Sequence, residues 1–355
     1  MYLFSTLSLS IIASLDTFSK KKRYKSLLWF ICFFLLIFHD GFRWETGTDW
    51  QPYYTFFQTC TDIVKSDYDI GYTLFNQFVR LFTDSYSVFL ILFAIIQYIF
   101  VFESISKYSI APFLSLFLYY CLSLPVLGMN RQFIALCLCL FAIRYIVSRE
   151  IVKFLMCLLV AFTFHKSVVI FAPAYFLCKS YPLKYYGLLL FLVIGISLSG
   201  IINKLPLEYF ALLGQDSADR MDFYADSFLK GDVSTSLVGS ILAILKRSIW
   251  ILLLLFFSKY VKQKNEYYAI AFNLYYIALL LYILFNNTIM QIIVGRGLIY
   301  FNIMEIFIVP FVLTMFKNNW GKLILFFLIV FYGYTNLVKG INYYPEVFIP
   351  YKNIF

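Results

Sequence analysis

Charged residues are scarce in this chain of 355 residues, of which only 14% are Asp, Glu, Lys or Arg. Soluble domains contain about 25% charged residues. Hydrophobic residues make up 62% of the chain, and apolar runs suited to a ~30 Å hydrocarbon core recur along it. The composition excludes an ordinary soluble domain. It indicates an all-α polytopic integral membrane protein with a single transmembrane domain over residues 1–355.

Residues that bind metals are also few. The chain has two histidines, and its seven cysteines show no metal-ligand spacing, so we expect no metal site, no cofactor and no disulfide framework. The net charge of +10 is typical of nucleic-acid binding in a soluble protein. Here the basic residues crowd short loops, where they set membrane orientation, and we expect no nucleic-acid partner.

The apolar runs predict about twelve transmembrane helices with both termini outside. Basic residues follow the first run rather than precede it, so we interpret that run as a helix and not as a signal peptide. No internal repeat is evident, which argues against duplicated transporter folds. The predicted helices cover residues 2–15, 26–39, 87–104, 111–127, 132–147, 151–164, 168–178, 185–202, 237–258, 267–285, 297–316 and 323–337.

Two long outer loops, residues 40–86 and 203–236, separate some of these helices, and we expect interfacial helices in them. In the first loop, apolar side chains recur at helical spacing, which is typical of a helix lying on the membrane surface. This apolar stripe consists of Leu74, Phe75, Phe78, Leu81 and Phe82.

Three arginines stand at the outer ends of predicted helices: Arg43, Arg131 and Arg296. Snorkelling to the headgroups explains any single one of them, but not the convergence of three arginines on one membrane face. The planar guanidinium group forms paired hydrogen bonds with phosphates and keeps its charge. We therefore expect a substrate with a lipid tail and a pyrophosphate head.

Candidate bases lie in the same outer regions. Glu45 and Asp49 flank Gly47, and either carboxylate is suited to remove a proton from a sugar hydroxyl or to hydrogen-bond within a turn. His165 is a further candidate because histidine titrates near neutral pH. Aromatic residues of the loop suit either stacking on sugars or an interfacial belt. We interpret Asp67-Tyr68-Asp69 as a solvated loop.

Four short motifs resemble those of EpsG-type proteins, which are Wzy-like polymerases of exopolysaccharide and O-antigen. Arg43-Trp-Glu-Thr-Gly-Thr-Asp49 with Tyr53-Tyr54 is similar to the family signature after the second helix. The other three motifs follow in matching order along most of the chain. They are Asn130-Arg131-Gln132, Phe164-His165-Lys166-Ser167, and Arg296 with Tyr300-Phe301.

The resemblance implies a glycosyltransferase-C-like or Wzy-like architecture and the joining of oligosaccharide units carried on undecaprenyl pyrophosphate. The expected partners are that lipid-linked substrate, the bilayer and a chain-length regulator protein, and the expected location is the outer face of the bacterial inner membrane. Candidate catalytic residues are Asp49, Glu45, His165, Arg131 and Arg296. Candidate substrate-binding residues are Arg43, Thr48, Tyr53, Tyr54, Gln132, Lys166, Ser167, Arg247 and Tyr300.

Three other functions fit parts of the pattern. A flippase or transporter for the same lipid-linked sugars should line the whole membrane with polar groups, whereas the unexplained charges here gather at one face. An O-antigen ligase shares the chemistry but uses another acceptor. A membrane O-acetyltransferase usually centres on a histidine and leaves the arginines without a role.

Overall fold

The computed structural model describes residues 1–19, 24–60, 68–205, 222–223, 225–227, 230–231, 235–256 and 266–355. Within these ranges the chain is helical, and its one β-type contact is an isolated antiparallel bridge between Arg43 and Asn353. This confirms the expected all-α class. Most of the second outer loop, including Glu208, Asp216, Asp219 and Arg220, lies outside the described residues.

Fifteen α-helices have both of their ends within the described ranges. The first eight are α1 Tyr2–Phe18, α2 Lys25–Gly41, α3 Trp50–Thr59, α4 Ile70–Arg80, α5 Tyr86–Tyr108, α6 Pro112–Ser123, α7 Asn130–Val147 and α8 Ile151–Phe164. The others are α9 Leu183–Ser199, α10 Leu237–Phe256, α11 Tyr268–Phe285, α12 Ile299–Asn302, α13 Glu305–Phe311, α14 Asn319–Ile341 and α15 Pro345–Phe348.

Tighter and wider helical turns connect some of these elements. The 3₁₀ segments are Leu124–Val126, Lys166–Phe176, Ile201–Lys204 and Val312–Met315, and a π-helical turn covers Ile293–Gly297.

Five described helices are long and apolar enough to cross a membrane, namely α5, α7, α10, α11 and α14. A sixth span results if the bent pair Ile293–Asn302 and Glu305–Met315 is taken as one unit. Shorter apolar helices accompany them, including α1, α8 and α9. The membrane-spanning character is therefore clear, while the expected total of about twelve crossings stays a prediction.

Helix α7 lies at the centre of the fold and packs against α5, α8 and the segment Lys166–Phe176. Thirteen of its eighteen residues are buried, as expected for a helix whose middle turns are apolar on every face. In contrast, no residue of α9 is buried. Since Arg131 and Gln132 lie in the first turn of α7, a central and largely buried helix also positions the residues of the arginine motif.

Two of the expected helices depart from regular α geometry. The seventh forms the 3₁₀ segment Lys166–Phe176, which contains Pro173. The eleventh is divided by the π-helical turn at Arg296 and by a bend of 45° between Asn302 and Glu305. Proline and π turns are the usual causes of such breaks, and hydropathy does not report them because the broken segments stay apolar.

Helix α4 has the character expected of an interfacial helix. Thr73 and Asn76 face the protein and are buried, whereas the apolar stripe is largely exposed, with Leu74, Phe78, Leu81 and Phe82 pointing away from the core. A helix that buries polar groups and exposes apolar ones suits contact with lipid. The apolar stripe is therefore not part of the protein core, and the interfacial position of this helix stays a prediction.

Helix α14 approaches the α6–α7 connection closely at Gly340. A Cβ atom at this position would lie 2.0 Å from Cγ of Pro125, a ring that cannot rotate away. We expect Gly340→Ala to lower the free energy of unfolding by about 1–3 kcal/mol, as overpacking does. Thermal unfolding in detergent measures the change.

The matched control is Gly195→Ala in α9, because a Cβ atom there has no heavy atom within 4 Å. Alanine is the better helix former, so this variant should unfold at the wild-type temperature or above it. A Gly340→Ala protein that is equally stable would contradict the close packing.

Candidate active site

The loop between α2 and α3 is held on two sides by backbone hydrogen bonds. On one side, the amides of Trp44 and Gly47 donate to the carbonyl oxygens of Lys352 and Val347, each at 3.0 Å. On the other side, the amide of Thr48 donates to the carbonyl oxygen of Leu127 at 3.0 Å. The loop is therefore fixed between the C-terminal segment and the turn that precedes α7.

Two glycines allow this second contact. Gly47 and Gly128 have φ angles of +110° and +109°, a region that side chains with a Cβ atom avoid. A Cβ atom on Gly47 would lie 2.6 Å from the carbonyl oxygen of Leu127, and one on Gly128 would lie 2.8 Å from the amide nitrogen of Thr48. The close approach brings the loop containing Asp49 to the beginning of α7.

Asp49 directly precedes α3 and is the acidic centre of the site. Burial raises the pKa of its carboxyl group, and the positive charges of Arg296 and Arg131 oppose that rise. Both guanidinium groups therefore act on one carboxylate although their residues are far apart in sequence. The structure places these three expected catalytic residues near enough for their charges to interact.

Arg131 is fixed by side chains from the first outer loop. Its Nη1 donates to Oδ2 of Asp69 at 2.8 Å, and its Nε donates to the hydroxyl of Tyr53 at 3.3 Å. The guanidinium carbon also lies 4.6 Å from the ring centre of Tyr68, within the range of a cation–π contact. Only 12% of the Arg131 side chain is exposed, so its orientation is well defined.

Arg296 lies on the π-helical turn Ile293–Gly297. Its backbone carbonyl accepts a hydrogen bond from Nε2 of the buried Gln132, which ties the turn to α7. Within the described part of the chain, its guanidinium has neither a hydrogen-bond nor an ion-pair partner. Arg296 is half-buried and therefore offers its full hydrogen-bonding edge to a ligand.

Three expected residues form a hydroxyl relay beside α12. The Ser167 hydroxyl lies 2.7 Å from Nδ1 of His165 and 3.0 Å from the hydroxyl of Tyr300. Lys166, between the first two in sequence, is half-buried. The motif residues 165–167 and Tyr300 are therefore brought together, as their co-occurrence in the sequence suggested.

Other expected residues have different roles in the structure. Arg43 is only 2% exposed, and its guanidinium donates to the Asp40 carbonyl at 2.5 Å and to Oδ1 of Asn130 at 2.9 Å. Glu45 is 49% exposed and pairs with Lys352 at 2.6 Å. These contacts direct Arg43 into the protein and Glu45 toward the C-terminal segment.

The remaining candidates are placed around the loop or away from it. Thr48 is half-buried, and its hydroxyl has no hydrogen-bond partner among the described residues. Tyr54 stacks on Trp50 with ring centres 5.0 Å apart. Arg247 lies on α10 and contacts Asn302, at the other side of α12 from the relay.

Asp69 requires a correction. We interpreted Asp67-Tyr68-Asp69 as a solvated loop, but the Asp69 side chain is only 11% exposed and is the ion-pair partner of Arg131, while Asp67 lies outside the described residues. The interpretation was wrong because the apolar residues that follow form α4 and bury Asp69 at its start. The aromatic residue between the two aspartates was the available signal.

A buried His–Asp pair also went unnoticed in the sequence. His39 and Asp40 end α2, with 2.6 Å between Nδ1 and Oδ1, and the hydroxyl of Tyr98 donates to Oδ2 of Asp40 at 2.5 Å. The hydroxyl of Tyr351 donates to the carbonyl of His39. These contacts connect α2, α5 and the C-terminal segment directly below Arg43.

The site combines one carboxylate, two guanidinium groups and the hydroxyl groups of Ser167 and Tyr300 at one end of a bundle of apolar helices. Within the described ranges, no three His, Cys, Asp or Glu side chains cluster as a metal site. The arginines are suited to a phosphate and the carboxylate to proton transfer. The fold defines a helical membrane protein, and the candidate site gathers basic and acidic side chains at one end of it.

A family model described as "EpsG family" matches residues 26–353. The chain belongs to the EpsG family, which indicates a membrane protein of the polysaccharide-polymerase type. No curated protein and no solved structure matches the chain.

The glycine contact offers a direct test of how the site is assembled. We expect Gly128→Ala to separate the Asp49 loop from α7, because the methyl group meets backbone atoms and the φ angle is unfavourable. The strain alone costs about 1–2 kcal/mol. Thermal unfolding and proteolysis of the loop measure the change.

Gly200→Ala is the matched control, since Gly200 also has a positive φ of +66° but a Cβ atom there would meet no heavy atom within 4 Å. It carries backbone strain without the close contact. Equal losses of stability in the two variants would refute the role of the approach between Gly47 and Gly128.

Proposed function

We propose that the protein polymerises oligosaccharide repeat units linked to undecaprenyl pyrophosphate. The growing chain is transferred from its lipid carrier to a hydroxyl of an incoming lipid-linked unit. The observation that carries the proposal is that the charges of Arg131 and Arg296 both act on the Asp49 carboxylate. Phosphate-binding groups and a proton acceptor are what glycosyl transfer from a pyrophosphate requires.

Arg296 is the principal ligand of the donor pyrophosphate in this proposal. Its guanidinium has no partner among the described residues, so both of its parallel donors are available for a phosphate. Arg131 already uses Nη1 and Nε on Asp69 and Tyr53, which leaves Nη2 for the ligand. Negative charge developing on the leaving group is stabilised by both cations, without a general acid.

Asp49 is the proposed base. Its raised pKa makes it a better proton acceptor than an ordinary aspartate, and it lies within the field of both arginines. Glu45 is less suited because it is half-exposed and paired with Lys352. His165, whose Nδ1 contacts Ser167, is proposed to orient the hydroxyl relay with Tyr300 rather than to remove the proton.

Arg43 has a positioning role in this proposal. Its guanidinium is buried and binds Asn130, the residue before Arg131. Arg43 therefore connects the end of α2 to the beginning of α7 and fixes the direction of the arginine that meets the ligand. Its own guanidinium contacts neither phosphate.

The sugars of the substrate would lie among the aromatic residues of the first outer loop. Trp44, Trp50, Tyr54 and Tyr86 form a cluster with ring centres 4.8–5.9 Å apart, and the rings of Trp44 and Tyr54 are partly exposed. Aromatic faces of this kind suit the apolar faces of sugar rings. The charge pattern supports a site that faces outward. The inner membrane as its location and a chain-length regulator as its partner follow from the family resemblance and are part of the proposal.

The arginine requirement can be tested by charge-conserving substitution. Arg296→Lys and Arg131→Lys should each abolish long chains, because lysine keeps the charge but loses the planar fork. Loss of one such stabilising group costs roughly 10²–10³ in rate. Purified protein is incubated with a lipid-linked repeat unit, and the products are separated by length.

Arg144→Lys is the matched control, since Arg144 lies at the other end of α7 and also combines an ion pair, to Glu103 at 3.0 Å, with a ring contact. It should form the wild-type ladder. A single transfer product from the wild type would indicate a ligase, and lipid exchange without bond formation would indicate a flippase. Wild-type chains from both motif variants would contradict the assignment.

The pH dependence tests Asp49 itself. Burial raises its pKa, so the acid limb of chain formation should lie above the ordinary pKa of aspartate, with activity rising as pH rises through it. Removing the positive charge in Arg296→Gln removes an effect that lowers the pKa. Its acid limb should therefore move to higher pH, measured on residual activity with radiolabelled substrate.

In the Asp49→Asn variant, the remaining activity should no longer decrease as the pH is lowered through this range. An unchanged limb in that variant would assign the titration to another group and remove Asp49 from the role of base.

A further inference from the structure

A second basic site lies within α10. Lys246 and Arg247 interrupt a helix that is apolar on both sides of them. Each charge placed near the bilayer centre costs about 2.5–3.5 kcal/mol, so two adjacent charges need either compensation or a use. Neither residue belongs to the group around Asp49.

Neutral groups, rather than carboxylates, hold this pair. Nζ of Lys246 donates to Oδ1 of Asn336 at 2.6 Å. Nε of Arg247 donates to Oδ1 of Asn302 at 3.2 Å, and its Nη1 donates to the carbonyl of Ala243 at 3.0 Å. The Arg247 guanidinium also lies 4.3 Å from the ring centre of Tyr282. No carboxylate of the described chain forms an ion pair with either cation.

The local charges do not balance. The negative charge that acts on Lys246 is that of Glu305, and the positive charges that act on it are those of Arg247 and Lys339. Glu305 is 4% exposed, and its carboxylate accepts a hydrogen bond from Tyr332. Lys246 and Arg247 therefore lie near one carboxylate, which already accepts a hydrogen bond from a tyrosine. A negatively charged ligand would complement this pair of basic side chains.

Helix α12 separates this group from the Asp49 site. Tyr300 contacts Ser167, whereas Asn302, two residues later, contacts Arg247. Two residues correspond to about 200° around an α-helix, so the contacts lie on opposite faces of α12. One short helix therefore forms a wall of both sites.

The pair lies near the same end of the bundle as the Asp49 site. Tyr282 is three residues from the end of α11, and Asn336 is five residues from the end of α14. With a rise of ~1.5 Å per residue, these two partner residues are about 5–8 Å below the ends of their helices, whereas Lys246 itself stands ~14 Å into α10. The cationic groups that contact Tyr282 and Asn336 are therefore at a depth that a lipid phosphate reaches while its tail stays in the bilayer.

The outer face of α10 is open to lipid. Leu242, Leu245 and Ile249 are exposed, and both cations beside them are half-buried. The basic pair therefore lies at the border between a lipid-facing apolar stripe and the protein. A prenyl tail can lie along the stripe while its headgroup contacts Lys246 and Arg247.

We propose that Lys246 and Arg247 form a second lipid-phosphate site, which binds the pyrophosphate of the acceptor while Arg296 and Arg131 bind that of the donor. This inference rests on the proposed polymerase function, because a reaction between two lipid-linked units requires two headgroup sites on one protein. In this proposal the acceptor lipid enters its site laterally from the bilayer, along the exposed face of α10.

Headgroup binding tests the inference without any turnover. The full chain in phosphatidylcholine nanodiscs is titrated with farnesyl pyrophosphate, and bound copies are counted by native mass spectrometry. The wild type should bind two copies. The double variant Lys246→Gln/Arg247→Gln should bind one with unchanged affinity, and Arg296→Gln should lose the other, each loss being roughly tenfold or more in affinity.

Arg149→Gln is the matched control, because Arg149 also donates to a carbonyl, that of Tyr175, and lies 5.5 Å from its ring centre. It should bind two copies. If the double variant does not fold, Arg247→Lys serves in its place, since it keeps the charge and loses the fork. It should weaken the second site while thermal unfolding stays at the wild-type temperature.

Two results would overturn the inference. One is two copies bound with wild-type affinity to the double variant and to Arg247→Lys. The other is equal displacement of the probe from this site by phosphatidylglycerol, which would make it a site for bilayer lipid. A wild type that binds two probes yet forms no polymer would instead contradict the proposed function and leave the second site standing.

Discussion

The contact between two turns of backbone, at Gly47 and Gly128, determines most of the geometry described above. It leaves no room for a side chain on either residue, so the outer loop and the beginning of α7 meet at backbone distance. Asp49 follows one glycine by two residues and Arg131 follows the other by three. The separation between the backbones of Asp49 and Arg131 is therefore set by this contact.

A second layer of contacts converts this approach into an electrostatic site. Asp69 and Tyr53 fix the Arg131 guanidinium, while Gln132 fixes the turn that contains Arg296. The Arg131 guanidinium is thus held rigidly, whereas no described residue accepts a hydrogen bond from the Arg296 guanidinium. The same two-residue segment, Arg131-Gln132, arranges both, which explains why the motif at the start of α7 is compact.

The sequence predicts the helices well where hydropathy and length suffice, as in α5, α8 and α11, whose predicted bounds differ from the observed ones by at most four residues. It does not predict the broken span at Arg296, because π turns change hydrogen bonding without changing polarity. Among site residues, Asp49, Arg131 and Arg296 were identifiable from charge at helix ends. Asp69 and the burial of Arg43 were not, since both depend on contacts between segments distant in sequence.

The C-terminal segment determines the order in which some contacts of the fold form during synthesis. Its residues 347–354 supply backbone partners to the loop at 42–47, and Tyr351 reaches the buried His39. These contacts join positions separated by about three hundred residues, so they form only after the last helix has been synthesised and inserted. Chain segments generally fold in order of their synthesis. The preceding apolar helices can therefore enter the membrane before residues 347–354 form their hydrogen bonds with the loop at 42–47.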